Sequence, residues 1–418
     1  MLSDEVIEKV SERLVNRIEQ QNEYILKKIG ESIKKIGTLT HTQAIQLENV
    51  LKFGGNYEKI EKKIAEITKL NVKDIKKIFR EIAKNDSQFA EQFYNYRGKK
   101  YIPFDKNITL QNQVDAIANI TAQEYVNFSK TNALGFGFVN NKTGKVTYKG
   151  LKQTYYDLID EAILNVSQGK ETFDDVMYKR LKEIGASGIK VIYPTTYIDK
   201  NGVEKHYVRR LDSAVKMNLK DGIRTLHNET QKEFGKQFDA DGVEVTVHLN
   251  PAPDHELVQG KQFSNEEFKK FQNDEEATSY DGVVFEPEFE GHDRRSIGQY
   301  NCYHYIFSIV LGVSEPTYTN EQLQEIIDKN NEGFKFEGKQ YTNYEGTQLQ
   351  RQIETKIREL KETQILGHAS GQDDLVEESQ KRVTELTKKY RDLSKVSGLP
   401  TKMKRMRVSG YKRVATKK

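Results

Sequence analysis

Nine residues between positions 248 and 304 carry side chains suited to chemistry: His248, Asp254, His255, His292, Arg294, Arg295, Asn301, Cys302 and His304. Imidazole, thiolate and carboxylate are zinc-ligand types, so His248, His255, Cys302 and His304, joined by Asp254, form one conceivable ligand set. Zinc sites ordinarily show Cys or His pairs at short, repeated spacing, and this chain has one Cys. A buried polar network that pins loops onto a small sheet uses the same residues, with Asn301 bonding backbone and histidines bonding carboxylates. The balance favours the network, and neither a metal nor any other cofactor is expected. A catalytic set is the other option, with His255 or His292 as general base and Arg294 and Arg295 stabilising a phosphate transition state. The chain has no HExxH, no Ser/His/Asp signature and no paired-carboxylate motif, so an enzyme is not expected. A nuclease-like or metal-dependent enzyme stands as the alternative.

Two strands must place these groups. Val243, Val245 and Val247 alternate with Glu244, Thr246 and His248, which predicts a strand with one buried face and His248 on the other. Cys302 to Leu311 is rich in Tyr, Phe, Ile and Val, and strand propensity is high there. In a strand Cys302 and His304 point to the same side, whereas in a helix they would point apart.

The rest of the chain reads mostly as charged amphipathic helix. Val6, Val10, Leu14, Ile18, Ile25, Ile29 and Ile33 mark a helix over 3–36, capped by Ser3. Further helices are predicted at 40–52, 56–69, 72–84, 110–129, 150–168, 172–184, 208–238 and 320–330, with a loop or hairpin at 132–149 and a short hairpin around Asp199–Gly202. Two helices at 346–367 and 373–395 form an antiparallel hairpin joined through Gly367-His368-Ala369-Ser370-Gly371. After Pro400 the tail carries Lys402, Lys404, Arg405, Arg407, Lys412 and Arg413. These are candidate DNA-phosphate contacts, blind to sequence and sensitive to salt. A solvated, disordered end is the competing reading.

Composition narrows the class. Charged residues are 31% of 418, yet 22 Tyr and 19 Phe argue against a disordered chain. One cysteine excludes an internal disulfide framework and suits a reducing compartment. Asp4, Glu5, Glu8 and Lys9 stand where a signal peptide needs apolar residues. The longest apolar run, Tyr305 to Val313, is too short to span a bilayer. Folding in a cytoplasm, with no membrane partner, is expected.

The central residues carry a resemblance. A strand ends in His248, then come Asp254-His255, Gln259-Gly260-Lys261 and Phe263-Ser264. After Arg295, Ile297-Gly298-x-Tyr300-Asn301-Cys302-Tyr303-His304 leads to Gly312-Val313-Ser314. This pattern resembles the phage minor capsid protein family, the minor capsid protein 2 group, which is related to the Mu F-type minor head proteins of tailed bacteriophages. The resemblance covers about 110–415, and the N-terminus more loosely. His248, Asp254, His255, Gly260, Arg295, Asn301, Cys302 and His304 are its structural motif core. Two departures stand out: Pro251-Ala252-Pro253 where many relatives place an Arg, and Tyr303 where Arg is common. The resemblance implies a structural protein inside the virion, associated with the portal protein and other head proteins. It further implies a part in head morphogenesis and in DNA packaging or ejection, and offers no catalytic residues to carry over. A non-specific DNA-binding module acting through the tail is a further alternative.

The expected fold is α+β and predominantly helical, with long amphipathic helices around a small mixed β core at about 240–318 and a C-terminal helical hairpin. The expected divisions are a helical N-terminal region at 1–149 suited to portal docking, a helical middle region at 150–238, a small Mu F-like core at 239–320, and the hairpin with its basic tail at 321–418.

Overall fold

The computed structural model describes residues 4–48, 54–96, 98–140, 143, 145–168, 173–198, 204–237, 239–290, 292–298 and 302–414. Ser3, the Asp199–Gly202 turn and Asn301 lie outside the described residues. The protein is predominantly helical α+β. In chain order the first elements are α1 (Asp4–Gly37), α2 (His41–Glu48), α3 (Gly54–Tyr96), α4 (Ile108–Phe128), β1 (Leu134–Val139), β2 (Val146–Gly150), α5 (Leu151–Ser167), α6 (Phe173–Ser187), β3 (Lys190–Ile198), β4 (Glu204–Arg210) and α7 (Leu211–Gln237). There follow β5 (Gly242–Val245), β6 (Gln262–Ser264), α8 (Asn265–Gln272), β7 (Ala277–Thr278), β8 (Val284–Phe285), β9 (Glu288–Phe289), β10 (His292–Asp293), β11 (Ile306–Ile309), α9 (Asn320–Glu332), β12 (Phe334–Phe336), β13 (Lys339–Tyr341), α10 (Asn343–Ser370) and α11 (Asp373–Ser397). No helix among the described residues is long and apolar enough to cross a membrane.

Several boundaries differ from the sequence reading. The helices expected at 56–69 and 72–84 are one helix, α3, of 43 residues. No Gly or Pro interrupts Leu70-Asn71-Val72, and Asn71 is satisfied by side chains instead of breaking the turn. It accepts from Arg17 Nη1 at 3.1 Å and donates to Tyr125 at 2.9 Å. Helix α10 runs through Ser370, so the hairpin turn is shorter than Gly367–Gly371 and uses Gly371 at φ +80°. The β pairing is antiparallel throughout the described residues, not mixed.

The chain forms two compact units. One comprises Met1–Glu12, Lys73–Gln123 and Lys216–Gln348, and the other Arg13–Val72, Glu124–Val215 and Leu349–Lys418. The first unit holds the sheet β11-β5-β6. Its apolar core is Val243, Val245, Val258, Phe263, Phe268, Phe271, Ala277, Phe285, Ile297, Cys302 and Ile306. Strand β5 is buried on both faces, which corrects the one-faced expectation. Glu244 is enclosed because Gln262 and the 314–317 segment cover it, and its carboxylate accepts from Gln262 Nε2 at 2.9 Å and from Thr317 N at 3.2 Å. The strand ends at Val245, short of His248.

In the second unit the hairpins β1-β2 and β3-β4 join into one four-stranded sheet, ordered β2-β1-β3-β4. Of the stripe predicted for α1, Leu14, Ile18, Ile25, Ile29 and Ile33 are buried, while the side chains of Val6 and Val10 lie outside the described residues. Helix α10 is approached closely where side chains are absent. A Cβ on Gly30 would lie 2.6 Å from Ala369, and one on Gly185 would lie 2.2 Å from Thr363.

A buried ionic cluster crosses this unit. Arg210 Nη2 pairs with Glu362 at 2.7 Å, its Nε reaches Asp212 at 3.2 Å, and Arg358 Nη1 reaches Asp212 at 2.6 Å. Such charges stabilise only as a paired set, since removing one member strands its partners in a low dielectric. Burial, and next the Asp212 carboxylate, push the Glu19 carboxyl up to about 7. A raised carboxyl binds its proton more tightly in the folded state, so its contribution is full below about 4.5 and is lost as pH rises through about 7. Glu19→Gln should therefore abolish a wild-type loss of thermal stability across that window, read by unfolding scans at a series of pH values.

Candidate functional site

The pairing of β11 with β5 sets the site. Ile306 lies opposite Val245, so the extended residues before Ile306 run beside those after Val245. Tyr305 N donates to Thr246 Oγ1 at 2.8 Å, and Thr246 N donates to Tyr305 O at 2.9 Å. This brings Tyr303 and His304 against His248. The His248 and His304 ring centroids are 4.3 Å apart, and those of His248 and Tyr303 are 5.6 Å apart.

The segment after His248 returns to the same place. Asn250 takes a positive φ of +57°, and Pro253–His255 form a single 3-10 turn. That turn carries His255 inward until it is 1% exposed. Gly260, at φ +73°, closes the segment against Leu323, where a Cβ would meet a methyl at 2.6 Å.

Cys302, His304 and His255 meet in the interior. Cys302 Sγ is 3.4 Å from His255 Nδ1 and 3.3 Å from His304 Nδ1. The His304 backbone N–H also donates to Sγ at 3.4 Å. Cys302 and His304 thus turn to one side, but strand β11 begins only at Ile306, so the strand expected from Cys302 is shorter than the sequence implied. Behind them, His255 Nε2 donates to the Arg295 carbonyl at 2.7 Å. Arg295 Nε donates to Asp254 Oδ2 at 2.6 Å, with a second bond from Nη2 to Oδ1. Arg295 therefore fixes both neighbours, one through its guanidinium and the other through its backbone.

The electrostatics follow from burial. Burial lowers the basicity of His255, and it holds His304 well below the usual histidine range. Burial also raises the Cys302 thiol, so this cysteine lacks the lowered pKa and exposure of a nucleophile. Burial alone would raise Asp254, but the Arg295 hydrogen bond brings it below the ordinary carboxylate range.

Among the described residues the two arginines of the catalytic set do not converge. Arg294 turns away from Arg295, is 4% exposed, and stacks over the Phe271 ring at 3.8 Å. Its guanidinium donates to the carbonyls of Phe271 at 3.0 Å, of Glu275 at 3.2 Å and of Glu286. It is committed to backbone and is not free to meet a substrate phosphate. His292 stands in β10, and its side chain lies outside the described residues.

Three participants were given no role by the sequence reading. Gln259 is 1% exposed, and its Oε1 accepts from His248 N at 3.3 Å. Lys220 and Arg224, one turn apart on α7, lie over Tyr303 with Lys220 Nζ and Arg224 Cζ at 4.9 and 5.0 Å from its centroid. Their signal was the i, i+4 spacing beside the apolar stripe, which reads equally as solvated surface. Tyr303, a departure from the family pattern, is thus the aromatic face on which cations of α7 rest.

The basic tail is folded, not disordered, through Val414. Met406 is buried, Lys361 Nζ donates to its carbonyl at 2.6 Å, and Tyr411 donates to Gln380 at 3.0 Å. Lys402, Lys404, Arg407, Lys412 and Arg413 remain exposed, and Arg405 is half-buried.

The described chain is dominated by helix, with a small closed core and a buried polar cluster. The family model for phage minor capsid protein 2 matches residues 2–395, and the chain belongs to that family. Its role is structural, in the phage capsid, and its place is the virion. Comparisons with curated proteins and with solved structures returned no match.

Arg294→Ala would leave three carbonyls without this donor and remove the stack on Phe271. We expect it to lower the unfolding free energy by about 2–4 kcal/mol in chemical denaturation.

Proposed function

We propose that this protein is a portal-associated minor head protein, placed inside the capsid and acting in head assembly and in DNA packaging or ejection. The observation that carries this reading is membership of the minor capsid family along residues 2–395. Before assembly the protein would reside in the host cytoplasm. The N-terminal helical region, 1–149, is the proposed docking surface, with the middle region 150–238, the core 239–320 and the hairpin 321–418 as the remaining parts.

The tail supplies the second contact. Lys402, Lys404, Arg407, Lys412 and Arg413 are exposed on a segment held down by Met406 and Tyr411. Cations on a fixed surface lose less freedom on meeting phosphates than cations on a loose arm. Arg405 supports the set from its half-buried position.

Co-purification with the portal protein of the same phage tests the reading. A stable complex is expected, with cross-links concentrated in residues 1–149, and failure to form it removes the portal assignment. Replacing Lys402, Lys404, Arg407, Lys412 and Arg413 together with Ala should leave that complex intact. The same variant should reduce the slope of log affinity for duplex DNA against log salt by up to about 4–5.

A further inference from the structure

Hydrogen bonds alone leave the buried cluster unresolved. The Arg295 carbonyl can only accept, so the proton of neutral His255 sits on Nε2, and Nδ1 presents a lone pair to Cys302 Sγ. A thiol has one proton. If it goes to His255 Nδ1, His304 must donate through Nδ1, and its Nε2 is then a lone pair in the interior. His304 is 1% exposed, and Nε2 has no hydrogen-bond partner among the described residues. Sulfur meanwhile also receives the His304 backbone N–H at 3.4 Å.

The distances match another occupant. Zn–S of about 2.3 Å and Zn–N of about 2.0–2.1 Å at a tetrahedral angle give S···N edges of about 3.5–3.6 Å. The two S···N separations here are 3.4 and 3.3 Å. One donor atom from each of His255, Cys302 and His304 lies within 4.8 Å of the others. The set is buried and held from behind: a carbonyl orients His255, and a carboxylate–guanidinium pair fixes the residue bearing that carbonyl. Metal-ligating histidines are commonly held this way by a second layer of hydrogen bonds.

We propose that His255, Cys302 and His304 bind a zinc ion. The ion replaces the thiol proton, accepts the His255 Nδ1 lone pair and one from the His304 ring, and takes Cys302 as thiolate. The fourth position falls on the side of His248, the half-buried imidazole next to His304. Arg295, whose carbonyl holds His255, is itself paired with Asp254. The ion is structural: it staples the 3-10 turn at His255 to the segment entering β11, 47 residues away.

The test uses the full chain, purified under reductant from zinc-supplemented culture, with elemental analysis and exchange of the metal for cobalt(II). The expected result is roughly one zinc per chain, and a cobalt adduct with tetrahedral ligand-field absorption and a near-ultraviolet thiolate-to-cobalt band. Cys302→Ala should abolish the thiolate band and His304→Ala should release the zinc. Arg295→Ala, which loosens the carbonyl holding His255, should weaken zinc binding roughly 10–100-fold. Addition of 1,10-phenanthroline should lower the unfolding temperature of the wild type and not of Cys302→Ala. A folded wild-type chain with a reduced Cys302 that holds no zinc above background and gives no thiolate–cobalt band overturns the proposal. So does zinc that persists unchanged in Cys302→Ala. The wild-type cobalt spectrum decides the matter even where a variant fails to fold.

Discussion

The first unit depends on one long-range pairing, that of β11 with β5. Ile306 opposite Val245 fixes the register, and a slip of one residue would turn Cys302 and His304 to the other side. The pairing also explains why so short a sheet suffices. The four residues of β5 are enclosed on both faces, by the apolar core on one and by the Glu244–Gln262–Thr317 hydrogen bonds on the other. A two-sided strand tolerates little misplacement, so the segments leaving it arrive in defined positions.

Arg294 and Arg295 show how neighbours in sequence divide the task. Successive residues of an extended chain face opposite ways. Arg294 enters the phenylalanine core and satisfies loop carbonyls, while Arg295 faces the histidine cluster and pairs with Asp254. The second unit adopts a different solution, with Arg210 and Arg358 matched against Asp212 and Glu362 away from water. A cation given only carbonyls and a ring needs no counter-charge, whereas one given carboxylates binds distant helices in a fixed orientation.

The helices were largely legible in the sequence because burial there follows a repeat. The α1 stripe of Leu14, Ile18, Ile25, Ile29 and Ile33 is the buried face. The break expected between 69 and 72 was not real, since a polar side chain such as Asn71 signals a boundary only when its partners are unknown. The approach of Cys302, His304 and His255 was partly legible: the strand periodicity put the first two on one side, and the family pattern grouped all three. The tether from His255 to a carbonyl was not legible, because backbone acceptors leave no mark on residue identity. Lys220 and Arg224 were hidden for the converse reason. Their charge predicts water, and only the tertiary position of Tyr303 shows otherwise.

The folded tail has an implication for the order in which structure forms. Ser409 donates to Glu23 across 386 residues of sequence, and Tyr411 and Val414 both reach Gln380. The Ser409 contact can form only once α1 and α11 stand together, whereas Tyr411 and Val414 meet Gln380 over 31 and 34 residues. The bond from Ser409 to Glu23 therefore follows the meeting of those helices, and the segment works as a clasp across them. A chain whose helices were misplaced would leave those cations on an untethered strand.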